Sequence, residues 1–201
     1  MERKSESIFD TMYIGKNIGD KFEDFSHPDL QFFSYLSCLL SIYDGNPLSF
    51  WEYSFVNTPL GSPYSVNVNE ALNSLKSNHS VVPTTPGYYK LTDKGNSEID
   101  FYLNLHAFKY RVKYLDTACK VLSLIPAGYI KNALHNEPVL SSAKCSISKK
   151  FLLDENSPAT HSLYKQFGIL REALVGEEYK ELLVPAVVWI EALIEKDKEL
   201  N

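Results

Sequence analysis

Apolar residues recur along most of this chain at the three-to-four residue spacing of amphipathic helices. Leu30, Phe33, Leu36, Cys38, Leu40 and Ile42 lie between His27-Pro28-Asp29 and Asp44-Gly45-Asn46-Pro47. Proline suits a first helical turn and aspartate its positive end, while Asp-Gly-Asn-Pro stops a helix, so a helix is predicted up to Tyr43. The segment Leu48–Asn57, with Phe50, Trp51, Tyr53, Phe55 and Val56, fits a short helix or an aromatic strand; Thr58–Pro63 breaks it. Ser65 is placed to cap a helix through Asn78, with Val66, Val68, Ala71, Leu72 and Leu75 as its apolar positions. Residues 80–84 and 88–91 read as two strands of a hairpin turned by Thr85-Pro86-Gly87. Thr92 then caps a helix whose core positions are Ile99, Phe101, Leu103 and Leu105. Residues 1–27 lack this regularity and are expected to form an irregular or weakly stranded arm, anchored by Ile8, Phe9, Met12, Tyr13, Ile14, Phe22 and Phe25.

The second half reads as all-helical. Phe108, Val112, Leu115, Cys119 and Leu122 share one face, and a short helix over Ala127–Asn136 is expected to stop at Pro138. Residues 139–157 look like a polar connector. Ser157 caps a helix through Leu163, Phe167, Leu170 and Leu174, and a last amphipathic helix holds Tyr179, Leu182, Leu183, Ala186, Val187, Ile190, Leu193 and Ile194. Pro185 either kinks that helix or marks its start. The fold class expected is mainly α (α+β), with an N-terminal arm over 1–27, a hairpin-bearing domain over 28–105, and a C-terminal helical bundle over 106–201.

Composition narrows function by exclusion. Of 201 residues, 44% are hydrophobic and 22% charged, which excludes wholesale disorder. The net charge of −5 argues against wholesale electrostatic binding of nucleic acid. It is unevenly distributed: residues 106–150 carry eight basic side chains against two acidic ones, while 1–58 and 151–201 are each at −5. Lys109, Arg111, Lys113, Lys120, Lys131, Lys149 and Lys150 are therefore candidate contacts to DNA or to an acidic partner. Cys38, Cys119 and Cys145 form neither a CxxC pair nor a disulfide framework, and no apolar run approaches a membrane span, so a cytoplasmic protein is expected. His27, His79, His106, His135 and His161 are scattered without metal-ligand spacing, and GxSxG, GxGxxG and Walker A loops are missing. No metal, cofactor, small-molecule substrate or catalytic activity is expected.

Helix, aromatic segment, Pro/Gly turn, helix, two-stranded hairpin, Leu91-Thr92-Asp93-Lys94-Gly95 and helix follow in the order of a winged helix-turn-helix. The stretch Trp51–Leu75, with "FVNTPLGSPYSVNVNEALNSL", resembles the aromatic, Gly-Pro-Tyr-Ser and leucine pattern of the middle components of ABC-three-component systems, of which the Lamassu antiphage operons look like one branch. Leu124–Leu140 is similar to the second-half helical pattern of the same proteins; Ser62, between Gly61 and Pro63, departs from it. The resemblance implies a non-catalytic accessory subunit that bridges an SMC/Rad50-like ATPase to an effector, often a nuclease, and meets DNA only through the complex. Trp51, Tyr53, Val184, Val188 and Trp189 are the candidate protein-binding residues, since Val184, Val188 and Trp189 add a second apolar stripe to the last helix. The alternative is a winged-helix transcriptional regulator. Against it, the candidate reading helix has a single cation, Lys76, and the hairpin is uncharged between Ser80 and Tyr89.

Overall fold

The computed structural model of the chain describes residues 5–144, 150–174 and 181–200. It is mainly helical with a small antiparallel sheet. The elements are α1 (Ser5–Phe22), β1 (Phe25–Ser26), α2 (His27–Tyr43), a 3-10 turn (Leu48–Trp51), β2 (Val56–Asn57), β3 (Pro63–Tyr64), α3 (Val66–Ser77), β4 (Val81–Pro83), β5 (Tyr88–Leu91), α4 (Asp93–Leu103), α5 (Lys109–Val121), α6 (Ala127–Leu134), α7 (Pro138–Ala143), α8 (Pro158–Ala173) and α9 (Leu183–Leu200). The three-stranded sheet runs β1-β5-β4, with Phe25 opposite Tyr89 and Val82 opposite Lys90; β2 and β3 pair separately, and Phe151 bridges to Val56.

Within the expected arm over 1–27, Ser5–Phe22 form a helix with a buried face, and Phe25–Ser26 a short strand. Phe9, Met12, Tyr13, Ile14 and Ile18 are buried, and α1 packs on α2, α3, α4 and α5. Its apolar positions recur at helical spacing, but the buried Asp10, Thr11 and Gly15 interrupt the run. A Cβ on Gly15 would lie 2.9 Å from the Phe25 ring, so glycine there lets β1 close on the helix. Phe22 is the exception among the expected anchors, being 53% exposed. One hydrophobic cluster joins residues from α1 through α9.

Local signals elsewhere gave the elements they encode. Ser26 and Asp29 form a reciprocal capping box at α2, and Asp44 caps its end. Leu48–Asn57 is partly helical and partly strand: the 3-10 turn ends at Glu52, in the left-handed region at φ 67°, and β2 follows. Ser65 precedes α3 without a side-chain capping bond; instead its N–H donates to Gln31 Oε1 at 2.7 Å and its carbonyl accepts from Gln31 Nε2. Thr92 Oγ1 accepts from the Gly95 N–H at 3.1 Å. A Cβ at Gly95 would sit 2.2 Å from the Ser80 carbonyl oxygen, so the glycine of Leu-Thr-Asp-Lys-Gly is what lets α4 lie against the hairpin. Of the core positions expected in α4, Ile99 is buried but Phe101 is 63% exposed.

Pro138 starts a helix rather than ending one. Glu137 caps α7, its carboxylate accepting from the Val139 and Leu140 N–H groups, and Leu152 is buried, so the connector expected over 139–157 contains a helix and a core residue. Pro185 lies in the first turn of α9, buried, and marks that helix's start. Tyr179 and Cys145 lie outside the described residues.

Candidate functional site

The basic segment does not present its charge as one face. Arg111 is fully buried: its Nε donates to Asp10 Oδ1 at 2.8 Å, Nη2 donates to Asp10 Oδ2, and its guanidinium carbon lies 4.0 Å from the centre of the Trp51 ring. Tyr53 OH donates to the same Asp10 Oδ2 at 2.6 Å. Burial opposes the guanidinium's charge, but Asp10 outweighs it and leaves the Arg111 pKa raised; burial and then Asp10 push Tyr53 well above an ordinary phenol. Trp51 and Tyr53 are 1% and 6% exposed. All three expected contacts are therefore parts of one internal ion pair with aromatic walls, not of an interface. The reason lies in α1: Asp10, in the segment expected to be an arm, supplies the counter-charge. Its one sequence signal is a lone carboxylate inside the apolar run Ile8-Phe9-Asp10-Thr11-Met12.

The remaining cations are spread over several surfaces. Lys113 pairs with Asp44 at 2.8 Å, Lys120 with Asp116 at 2.8 Å, and Lys131 with Asp29 at 2.5 Å. Lys109 and Lys150 are exposed, and Lys149 lies outside the described residues. On α9, Trp189 is 4% exposed and its ring meets Phe167 edge-on at 5.1 Å, so it belongs to the core between α8 and α9. Val184 is half-buried, and Val188 is 37% exposed. The second apolar stripe of α9 thus faces inward at Trp189 and reaches solvent at Val188.

A second buried polar centre forms around α7. Glu137 is completely buried and accepts from Tyr35 OH at 2.8 Å as well as from the two backbone N–H groups. Burial pushes its carboxyl up to about 7 against the pull of these donors. His135 Nδ1 lies 3.0 Å from the Gly61 carbonyl. A carbonyl only accepts, so that nitrogen carries the proton, and burial holds the imidazole pKa below its usual value. These are capping and packing roles. Burial pushes the Cys119 thiol up to about 12, and the Cys38 thiol is raised for the same reason, which suppresses the thiolates that nucleophilic chemistry needs. Among the described residues no group of His, Cys, Asp and Glu is arranged to hold a metal ion, and no helix is long and apolar enough to cross a membrane.

The outer surface next to the hairpin is polar; its cations are Lys76 on α3, exposed Lys90 on β5 and Lys94, whose Nζ donates to the Asn78 carbonyl at 2.6 Å. On α3, Val68, Ala71, Leu72 and Leu75 face the core, while Val66, Asn73 and Ser77 are exposed and Asn67, Asn69 and Glu70 half-exposed. Lys76 leans over the Tyr89 ring, 5.1 Å from its centre, and the hairpin tip from Pro83 to Gly87 is exposed and uncharged. Beside the start of α3 opens a cavity of about 350 Å³, lined by residues of α2, the 3-10 turn and the segment after it, α3 and the loop before α8. No family model, curated protein or solved structure matches the chain.

Proposed function

We propose that this chain is a non-catalytic winged-helix subunit that grips another protein, in the manner of the middle components of ABC-three-component antiphage systems, and bridges an SMC/Rad50-like ATPase to its effector. The observation that carries the reading is the order of the sheet and its helices. A helix, a short strand, a second helix, the 3-10 turn with the β2–β3 pair, a third helix and a hairpin follow in that order, and the first strand pairs with the second hairpin strand to give β1-β5-β4. That order supports the winged-helix reading, in which α3 would be the presented helix and β4–β5 the wing. The ABC-three-component assignment rests on the sequence resemblance over Trp51–Leu75 and Leu124–Leu140.

Protein rather than DNA is the favoured target because of charge. Reading a duplex takes several phosphate-neutralising cations around the inserted helix. Here α3 offers Lys76, already seated on Tyr89, and the wing tip offers none. Co-expression with the products of neighbouring genes, followed by size-exclusion chromatography, tests the proposal. A stoichiometric complex with a coiled-coil ATPase is the expected result. An isolated homodimer that shifts one short duplex with a steep salt dependence overturns it.

A further inference from the structure

A pocket of about 330 Å³ opens where the β2–β3 turn meets the ends of α6 and α7, lined by Leu60, Asn132, His135, Asn136 and Lys144. The Gly61 residue of the turn holds two of these side chains. Its carbonyl accepts from His135 Nδ1 at 3.0 Å, and the Phe32 ring meets the imidazole edge-on at 5.3 Å. A Cβ on Gly61 would lie 3.0 Å from Lys144 Cγ, with Cε at 3.9 Å and Cδ at 4.0 Å, so the lysine stem is laid along the turn. With Nδ1 spent on Gly61, Nε2 is the ring nitrogen left for a ligand. The lining holds a cation and no carboxylate. Lys144 is exposed and joins no ion pair among the described residues. Lys131, one turn before His135, is paired with Asp29 of α2, and the Glu137 carboxylate is turned inward to Tyr35 and the start of α7. Residues 58–64 carry no charge, and between Asp116 and Asp154 the chain holds one acid, Glu137, against five lysines. Burial chiefly, and Lys144 after it, lower the His135 pKa, while the Gly61 hydrogen bond raises it.

An ammonium on a pinned stem, an imidazole and two carboxamides, with no carboxylate among them, complement an anion. Because the turn already positions Lys144 and His135, less ordering is left to be paid on binding. Two features set the charge of that anion. Lys144 is the one full cation in the lining, and α6 ends here, its Lys131 and Asn132 carbonyls accepting from the His135 N–H. The partial negative charge of a helix end opposes a doubly charged ligand more than a singly charged one, so a carboxylate fits better than a phosphate. Leu60, 89% exposed, adds an apolar lip to the pocket. A volume near 330 Å³ is at the small end for a ligand cleft, which spans roughly 300–1,000 Å³, and suits one acidic side chain with its neighbour.

We propose that this pocket seats a carboxylate of the partner protein, an aspartate or glutamate side chain held by Lys144, Asn132, Asn136 and His135, while an apolar residue beside it covers Leu60. The proposal rests on the protein-binding reading above and names the chemistry of its partner. A bound carboxylate favours the imidazolium, so His135 gains a proton at Nε2. Two short amidated peptides, one of Leu and Glu and one of Leu and Gln, are titrated into the full-length protein. The Leu/Glu peptide should perturb the amide resonances of Leu60, Asn132, Asn136 and Lys144 and raise the His135 pKa, and the Leu/Gln peptide should bind about tenfold more weakly. Lys144→Gln should weaken the Leu/Glu peptide about tenfold with urea unfolding unchanged, whereas Lys109→Gln, an equal change in charge at an exposed lysine of α5, should leave it as tight. Equal weakening in both variants, perturbed amides elsewhere, or equal binding of the two peptides overturns the site. Acetate that binds as tightly as the Leu/Glu peptide overturns the partner as the source of the carboxylate. Inorganic phosphate or a short DNA duplex that binds the same residues more tightly overturns the carboxylate itself. In the co-expression experiment, a wild-type complex that survives Lys144→Glu overturns this anchor alone, whereas absence of any wild-type complex overturns the broader reading.

Discussion

Replacing Arg111 by methionine separates an internal ion pair from an interface contact. Methionine fills much of the space of the arginine stem but leaves the Asp10 carboxylate, 0% exposed, without its bidentate partner. Tyr53 OH, at 2.6 Å, still donates to it, and the Trp51 face loses the guanidinium stacked at 4.0 Å. A buried charge stripped of its partner costs about 3–5 kcal/mol. Domains of this size are stable by about 5–15 kcal/mol, so the loss is a large share of the total. Urea unfolding followed by both tryptophan emission and far-ultraviolet circular dichroism measures it. Replacing both partners, in Asp10→Leu/Arg111→Met, should recover most of the loss, because two apolar side chains leave no stranded charge. A cost for Arg111→Met below about 1 kcal/mol, the range of exposed pairs, would refute the reasoning. A normal stability accompanied by lost partner or DNA binding would refute it too.

Glu137 should make stability fall as pH rises. Its folded pKa, about 7, lies above the ordinary 4.5, so the stabilisation is complete below 4.5 and is lost as pH climbs through 7. The shift corresponds to roughly 3 kcal/mol, and Glu137→Gln should flatten the stability profile across that window; an unchanged profile contradicts the assignment. Gly95→Ala should cost about 3 kcal/mol or more in thermal unfolding, because a Cβ 2.2 Å from the Ser80 carbonyl forces α4 off the hairpin; a near-neutral effect would show that the two elements separate freely. On α9, Trp189→Ala should cost about 3–5 kcal/mol, whereas Val188→Glu should leave urea unfolding within about 0.5 kcal/mol of the original and is the variant fit for binding assays.

Local instructions in this chain are legible one at a time. Ser26 with Asp29, Thr92 with Gly95, and Ser157 before Pro158 each specify a helix start within four residues. The hairpin is specified by its Pro-Gly turn, and the all-helical second half by its apolar period. α1 is missed although Phe9, Met12, Tyr13 and Ile18 recur at helical spacing, because Asp10, Thr11 and Gly15 interrupt its apolar run; α2, buried over more of its length, is legible because His27-Pro28-Asp29 marks its start.

Sequence by itself determined the mainly helical class, most caps and turns, and the uncharged tip of the hairpin, because these depend on neighbours within a few residues. It could not say which charges and aromatics are spent inside. Arg111 belongs to the core because Asp10 meets it from 101 residues away, and Trp189 does because Phe167 covers it. The cavity beside α3 was likewise decided only by tertiary structure, which draws Glu52, Asn67 and Leu153 to one opening. The physical reason is the same in each case: burial and electrostatic pairing act through space, at separations along the chain that no local period records.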